Sequence, residues 1–227
     1  MNYILGTLKI IIPGCCLLIM ISAYSGKTVK LFNGNDLKGW YAYTSGSGKT
    51  DDAGQIFKVE NGEIKLRGKS SGYIATIGTF KNFDLKLEFC WETDTSILRN
   101  SNVMNSGIMY NVPSDSKDVL WPSGIQFQVK RDHTGDFILL HNITLNVRGT
   151  VYGPGRSVVI PRLTDGEKKP GEWNTVEIIS EEGRCMQYLN GQLVNEGMGA
   201  STTGGRIALL YEGYPVKFRN IEIELME

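Results

Sequence analysis

Along Phe83-Asp84-Leu85-Lys86-Leu87-Glu88-Phe89-Cys90-Trp91, large apolar residues take the odd positions and mainly polar ones lie between. A two-residue period of that kind is a long strand with one buried face. Val176-Glu177-Ile178-Ile179 and the run Phe218 to Leu225 repeat it. No helical period of useful length appears after residue 26. Turn signals separate the strands: Asn61-Gly62, Asp165-Gly166, Glu182-Gly183, Asn190-Gly191 and Gly204-Gly205. The pattern predicts about 12 to 14 short strands in an all-β domain. Two antiparallel sheets packed as a β-sandwich are the natural arrangement.

Three stretches interrupt the alternation. Thr44 to Gly54 is rich in Gly, Ser and Asp, and Thr93 to Asn105 is polar. Pro113 to Pro122 holds Trp121, with a short helical turn expected over Asp115 to Val119. Long loops on a β scaffold are where function usually resides. No linker, low-complexity stretch or repeat divides the chain.

The 227 residues suit one large sandwich, long enough to bury a core without staples. Lys9, the apolar run Ile10 to Ser22 and the small residues of Ala23-Tyr24-Ser25 read as a signal peptide over residues 1–25. Pro13 and Gly14 break that run, which is short for a membrane span. A secreted or periplasmic domain over 26–227, not inserted in the membrane after cleavage, is the expectation. An uncleaved anchor is the alternative. Without Lys9 the chain has 23 basic and 24 acidic residues, net −1. That balance offers no electrostatic reason to bind nucleic acid or an anionic membrane. Of the cysteines, only Cys90 and Cys185 follow the leader, and two separate core residues are favoured over a bridge. No zinc-type Cys/His spacing is present.

The most informative run is Gly124-Ile125-Gln126-Phe127-Gln128-Val129-Lys130. Ile125, Phe127 and Val129 face one way. Gln126, Gln128 and Lys130 face the other, at roughly 6.5 Å intervals. Such amides and cations suit sugar hydroxyls, which both donate and accept hydrogen bonds. A solvated outer sheet shows the same alternation. The two histidines, His133 and His141, flank the Thr134-Gly135-Asp136 turn and the strand after it. Imidazole is suited to proton transfer near neutral pH. With Asp132 or Asp136 the pair is also a candidate divalent-metal site, and each histidine is equally a turn cap. Asn105 and Tyr110, Trp121 beside Pro122, and Glu212 before a turn complete the candidate sugar-binding set.

Leu31-Phe32-Asn33-Gly34-Asn35-Asp36-Leu37-Lys38-Gly39-Trp40 resembles the opening motif of the 3-keto-disaccharide hydrolase family. Phe57 to Ile64, Asn105-Ser106-Gly107-Ile108, Gly171-Glu172-Trp173-Asn174, Leu189-Asn190-Gly191 and Phe218-Arg219-Asn220-Ile221 extend the resemblance over nearly all of 29–225. The run from Gly124 to Leu140 resembles a subgroup common in gut-type Bacteroidetes. The resemblance implies a concanavalin A-like, laminarinase-type jelly roll. It departs where many members carry Glu and this chain has Gln126.

Retaining glucanases of this fold place two carboxylates on one strand, about 5–5.5 Å apart. Gln126, Gln128 and Lys130 supply none. The resemblance implies another route, cleavage of a glycoside already oxidised at C3. A base removes the C2 proton, an enolate forms, the C1 substituent leaves and water adds. On this reading His133 or His141 is the base and Lys130 or a divalent metal the electrophile. Asp132 and Asp136 orient or ligate, and Gln126, Gln128, Asn105 and Glu212 bind hydroxyls. A non-catalytic, lectin-like carbohydrate-binding domain is the rival reading, and a domain with no ligand is the third.

Overall fold

The computed structural model describes residues 26–226. The proposed leader, residues 1–25, lies outside the described residues. In chain order the strands are β1 (Lys27–Lys30), β2 (Trp40–Thr44), β3 (Gly48–Thr50), β4 (Lys58–Glu60), β5 (Glu63–Leu66), β6 (Gly72–Thr76), β7 (Phe80–Lys81), β8 (Phe83–Trp91), β9 (Asn105–Val112) and β10 (Gly124–Lys130). There follow β11 (Phe137–Leu140), β12 (Leu145–Val147), β13 (Thr150–Tyr152), β14 (Ser157–Ile160), β15 (Asn174–Glu181), β16 (Arg184–Leu189), β17 (Gln192–Gly197), β18 (Gly204–Tyr211) and β19 (Val216–Leu225). The 19 strands among the described residues exceed the expected number because short pairings are included, such as β3, within a stretch that reads as loop, and the two-residue β7. One 3-10 turn, Ala53–Gln55, interrupts them, and the helical turn expected over 115–119 does not form.

The strands make two large antiparallel sheets. One runs β17-β16-β15-β8-β19-β5-β4, with β1 on β19. The other runs β14-β11-β10-β9-β18-β6-β2-β3, with β7 on β18. Three predicted turns close hairpins with both residues at positive φ: Asn61-Gly62, Glu182-Gly183 and Asn190-Gly191. That is the type I′ geometry whose twist matches the flanking strands. Gly204-Gly205 instead opens β18, where a Cβ on Gly205 would stand 2.1 Å from the Val112 carbonyl oxygen.

Phe83, Leu85, Leu87 and Phe89 of β8 meet Ile125, Phe127 and Val129 of β10 in the core between the sheets. Burying each large side chain contributes roughly 1.5–3 kcal/mol relative to exposure. Trp40 and Trp91 join this core. Trp173 does not: it is half-buried on the surface, with the Arg219 guanidinium 3.9 Å from its ring centroid. Cys90 and Cys185 are both buried and free.

Candidate functional site

The face of the second sheet turned away from the core is also apolar. Met109, Ile138, Leu140, Ala208 and Leu210 form a second cluster there with Tyr41, Tyr73, Ala75 and Val112. Continuous apolar runs such as Phe137-Ile138-Leu139-Leu140 belong to strands covered on both faces. Part of the cover is the segment Pro113 to Pro122, which crosses this face as a strap. The Asp118 carboxylate accepts hydrogen bonds from the Tyr41 hydroxyl at 2.7 Å and the Tyr73 hydroxyl at 2.8 Å, and Lys49 Nζ lies 3.4 Å away. Burial alone would raise the Asp118 pKa, but these donors bring it below the usual carboxylate value. Arg206 fixes the start of the strap by donating to the carbonyls of Pro113 and Ser116.

Beyond the strap the face opens into a cavity of about 390 Å³. Asn105, Gln126, Gln128 and Glu212 form its polar wall. Register explains the set. Lys130 pairs with Asn105 and Gln128 with Gly107, so Asn105 shares the face of the even-numbered residues of β10. Gln126 lies across Gly107, where a Cβ would stand 2.6 Å from Gln126 Cδ. Glycine here lets a side chain approach the neighbouring backbone closely. The Gln126 amide donates to Gln128 Oε1, fixing both side chains.

Among the described residues, Glu212 is the one carboxylate lining the cavity. Asn105 Nδ2 donates to its Oε2 at 2.6 Å, and Asn105 Oδ1 is buried with no hydrogen-bond partner among the described residues. Burial holds the Glu212 carboxyl above the ordinary glutamate value, opposed by the Trp121 indole and the Lys130 ammonium. Trp121, at the end of the strap, is 40% exposed over the cavity. His141 Nε2 lies 2.7 Å from the Trp121 carbonyl oxygen. A carbonyl only accepts, so Nε2 carries the hydrogen and Nδ1 is the acceptor of a neutral ring.

The structure thus gathers Asn105, Gln126, Gln128, Trp121, His141 and Glu212 around one cavity; Lys130, on the same face of β10, does not line it, though its charge lowers the Glu212 pKa. Four expected residues stand elsewhere. Tyr110 pairs with the inward-facing Ile125; it is fully buried in the core, and its hydroxyl accepts from Gln187 Nε2 at 3.1 Å. It cannot touch a substrate. His133 lies in the β10–β11 turn, exposed and outside the cavity, with Nδ1 3.3 Å from Asp136 Oδ2. Asp136 is buried outside the cavity lining, and its Oδ1 accepts the Arg162 backbone N–H at 2.9 Å, which pins the turn. Asp132 is exposed beside Arg131. Among the described residues no three His, Cys, Asp or Glu side chains gather, so Asp132 has no partners for a metal and the donor set does not fit one.

Sequence reasoning missed Arg156, whose side chain lines the cavity with no carboxylate at ion-pair distance among the described residues. It also missed the apolar floor of Ile138, Leu140 and Val159. The Phe137 to Leu140 run was the available signal for that floor. Nothing in the chain signalled Asp118, whose tyrosine partners are 77 and 45 residues away.

The 3-keto-alpha-glucoside-1,2-lyase-like domain model matches residues 27–224. A 3-keto-disaccharide hydrolase from Bacteroides thetaiotaomicron is 26% identical over 185 residues, covering 74% of this chain and 57% of that protein. The chain therefore spans little more than half of that curated relative. A putative glycosyl hydrolase structure from Parabacteroides distasonis superposes with a TM-score of 0.64 at 21% identity, covering 89% of this chain and 94% of that one. A Bacillus licheniformis β-glucanase gives 0.56 at 14% identity, with 89% and 99% covered, and carries the same jelly-roll fold. With its fold shared by these sugar-acting proteins and nearly all described residues inside one family match, the chain belongs to the 3-keto-α-glucoside-1,2-lyase-like domain family, a glycosyl hydrolase-like, carbohydrate-active class.

Proposed function

We propose that this domain cleaves glycosides of 3-keto sugars by elimination and hydration, with Glu212 as the base. The observation that carries the reading is a half-buried carboxylate, raised in pKa, on the polar wall of the cavity, with no second carboxylate among the lining residues described. Double displacement needs a second carboxylate about 5–5.5 Å away. Elimination needs one base whose pKa lies nearer the working pH, and a positive group for the enolate.

The Glu212 carboxylate takes the proton from C2, which the C3 ketone makes acidic. The C2–H electrons pass into the C2–C3 enolate, with the negative charge on the C3 oxygen offset by the cationic Arg156 side chain that lines the cavity. Their return forms the C1–C2 double bond and expels the C1 oxygen with its substituent. That oxygen takes up a proton, and water then adds across C1–C2, so the sum is hydrolysis. Gln126, Gln128 and the unpartnered Asn105 Oδ1 hold hydroxyls. His141 supports Trp121 through the strap carbonyl. Export of the domain, as the apolar leader suggests, accompanies this reading.

Incubation with a 3-keto-glucoside tests it. Purified protein is expected to release the aglycone and Glu212→Gln to lose at least about a hundredfold in kcat, the scale of a general base. Undiminished turnover by Glu212→Gln would remove Glu212 from the mechanism. Binding of the keto-glucoside without any product would favour the lectin-like alternative, which the lack of a second carboxylate also fits.

A further inference from the structure

The cavity is chemically two-sided. Asn105, Gln126, Gln128 and Glu212 line the β9, β10 and β18 side. Ile138, Leu140 and Val159, from β11 and β14, make the floor on the other side. Register puts Ile138 opposite Val159 and Leu140 opposite Ser157, so these side chains share one face; the Ser157 hydroxyl and, at the strap end, the His141 ring and the Arg156 side chain are the polar groups on this side. Val159 is 55% exposed and Trp121, on the strap, 40%, and both line the cavity. Ile138 and Leu140 are buried, 7% and 6% exposed, at the bottom of the cavity, so Val159 and Trp121 carry its open apolar surface.

We infer that this floor is the aglycone half-site and that it takes a planar apolar aglycone, an aryl group, in preference to a second sugar. The inference rests on the proposal that the polar wall holds the glycone. A second pyranose laid over Ile138, Leu140 and Val159 would strip water from the hydroxyls that face these three side chains, which offer no hydrogen bond in exchange. A polar group buried in that way is penalised. An aryl ring has no such groups to desolvate, covers apolar surface that is otherwise wet, and presents its face to the Trp121 indole. The size agrees. A cavity of about 390 Å³ is at the small end of ligand sites. It accommodates one glycosyl unit with one ring-sized substituent, and the strap held by Tyr41 and Tyr73 blocks extension toward β6 and β2.

Binding of methyl glucoside, phenyl glucoside and maltose, measured by calorimetry, tests the inference. None carries the C3 ketone, so turnover does not intervene, and both anomers of each glucoside are used. Phenyl glucoside is expected to bind about tenfold more tightly than methyl glucoside and more tightly than maltose. Val159→Asn, at an exposed edge-strand position that should leave folding intact, is expected to narrow the phenyl-to-methyl ratio about threefold or more. Equal affinity for phenyl and methyl glucoside, tighter binding of maltose, or a ratio unmoved by Val159→Asn overturns the aryl half-site while the sugar-binding wall stands. No binding of any of the three overturns the sugar reading of the wall, and this inference with it.

Discussion

The Tyr73 hydroxyl donates to the Asp118 carboxylate at 2.8 Å, joining β6 to a strap 45 residues further along the chain. Tyr41 donates to the same oxygen from β2. Removing both hydroxyls in Tyr41→Phe/Tyr73→Phe leaves a carboxylate held only by Lys49, and should cost about 2–4 kcal/mol of stability. Because the folded Asp118 pKa lies below its ordinary value of 3.8, its contribution is complete above that value and is lost as pH falls through the lower folded pKa. Acid titration of Tm should show wild type losing more stability below about pH 4 than Asp118→Asn. Parallel acid profiles would show that the strap is not held by this charge.

Glu212 has the opposite sign. Its folded pKa is raised, so the stability it contributes is present below the ordinary value of 4.5 and is lost as pH rises through the folded pKa. Glu212→Gln is therefore expected to be at least as stable as wild type at pH 7 while losing activity. In wild type the acid limb of kcat/KM should rise with an apparent pKa above that of an ordinary glutamate. A Tm that falls by several degrees in Glu212→Gln, or an acid limb at the ordinary value, contradicts this assignment.

Gly107→Ala separates the site from the fold. The new Cβ would stand 2.6 Å from the far end of the Gln126 side chain, which can swing away. The expected cost in stability is small, about 1 kcal/mol or less. The loss of the Gln126–Gln128 contact should weaken sugar binding about tenfold. Calorimetry beside a thermal melt checks both; unchanged affinity would mean that the paired amides do not bind ligand.

His133→Ala is expected to keep turnover within about twofold of wild type, since its exposed ring stands outside the cavity. Asp136→Ala should instead lower stability by about 1–3 kcal/mol, because the buried Arg162 N–H loses its acceptor. A large loss of kcat in His133→Ala at unchanged stability would return that imidazole to the mechanism.

How far the site was readable depends on what each residue's position requires. Ile125, Phe127 and Val129 alternate with Gln126 and Gln128 in the chain itself, so the two faces of β10 were legible before any fold was known. Asn105 and Tyr110 stand five residues apart on β9, so the two-residue period already sets them on opposite faces, and only the pairing with β10 decides which of the two faces the core. His133 and His141 look equivalent, four residues of strand apart from one turn. Only His141 reaches the strap, because the chain leaves β11 at the end where Trp121 crosses.

The sequence by itself determined the all-β class, the type I′ hairpins at Asn61-Gly62, Glu182-Gly183 and Asn190-Gly191, and the inward face of β10, since period and turn chemistry are local properties of the backbone. Only the tertiary structure decided that Glu212 is the cavity's carboxylate, that Asp118 closes the strap, and that Val159 lies open in the same cavity as Trp121. Those outcomes rest on burial and on contacts between residues far apart in the chain, which exist only once the sheets have paired and packed.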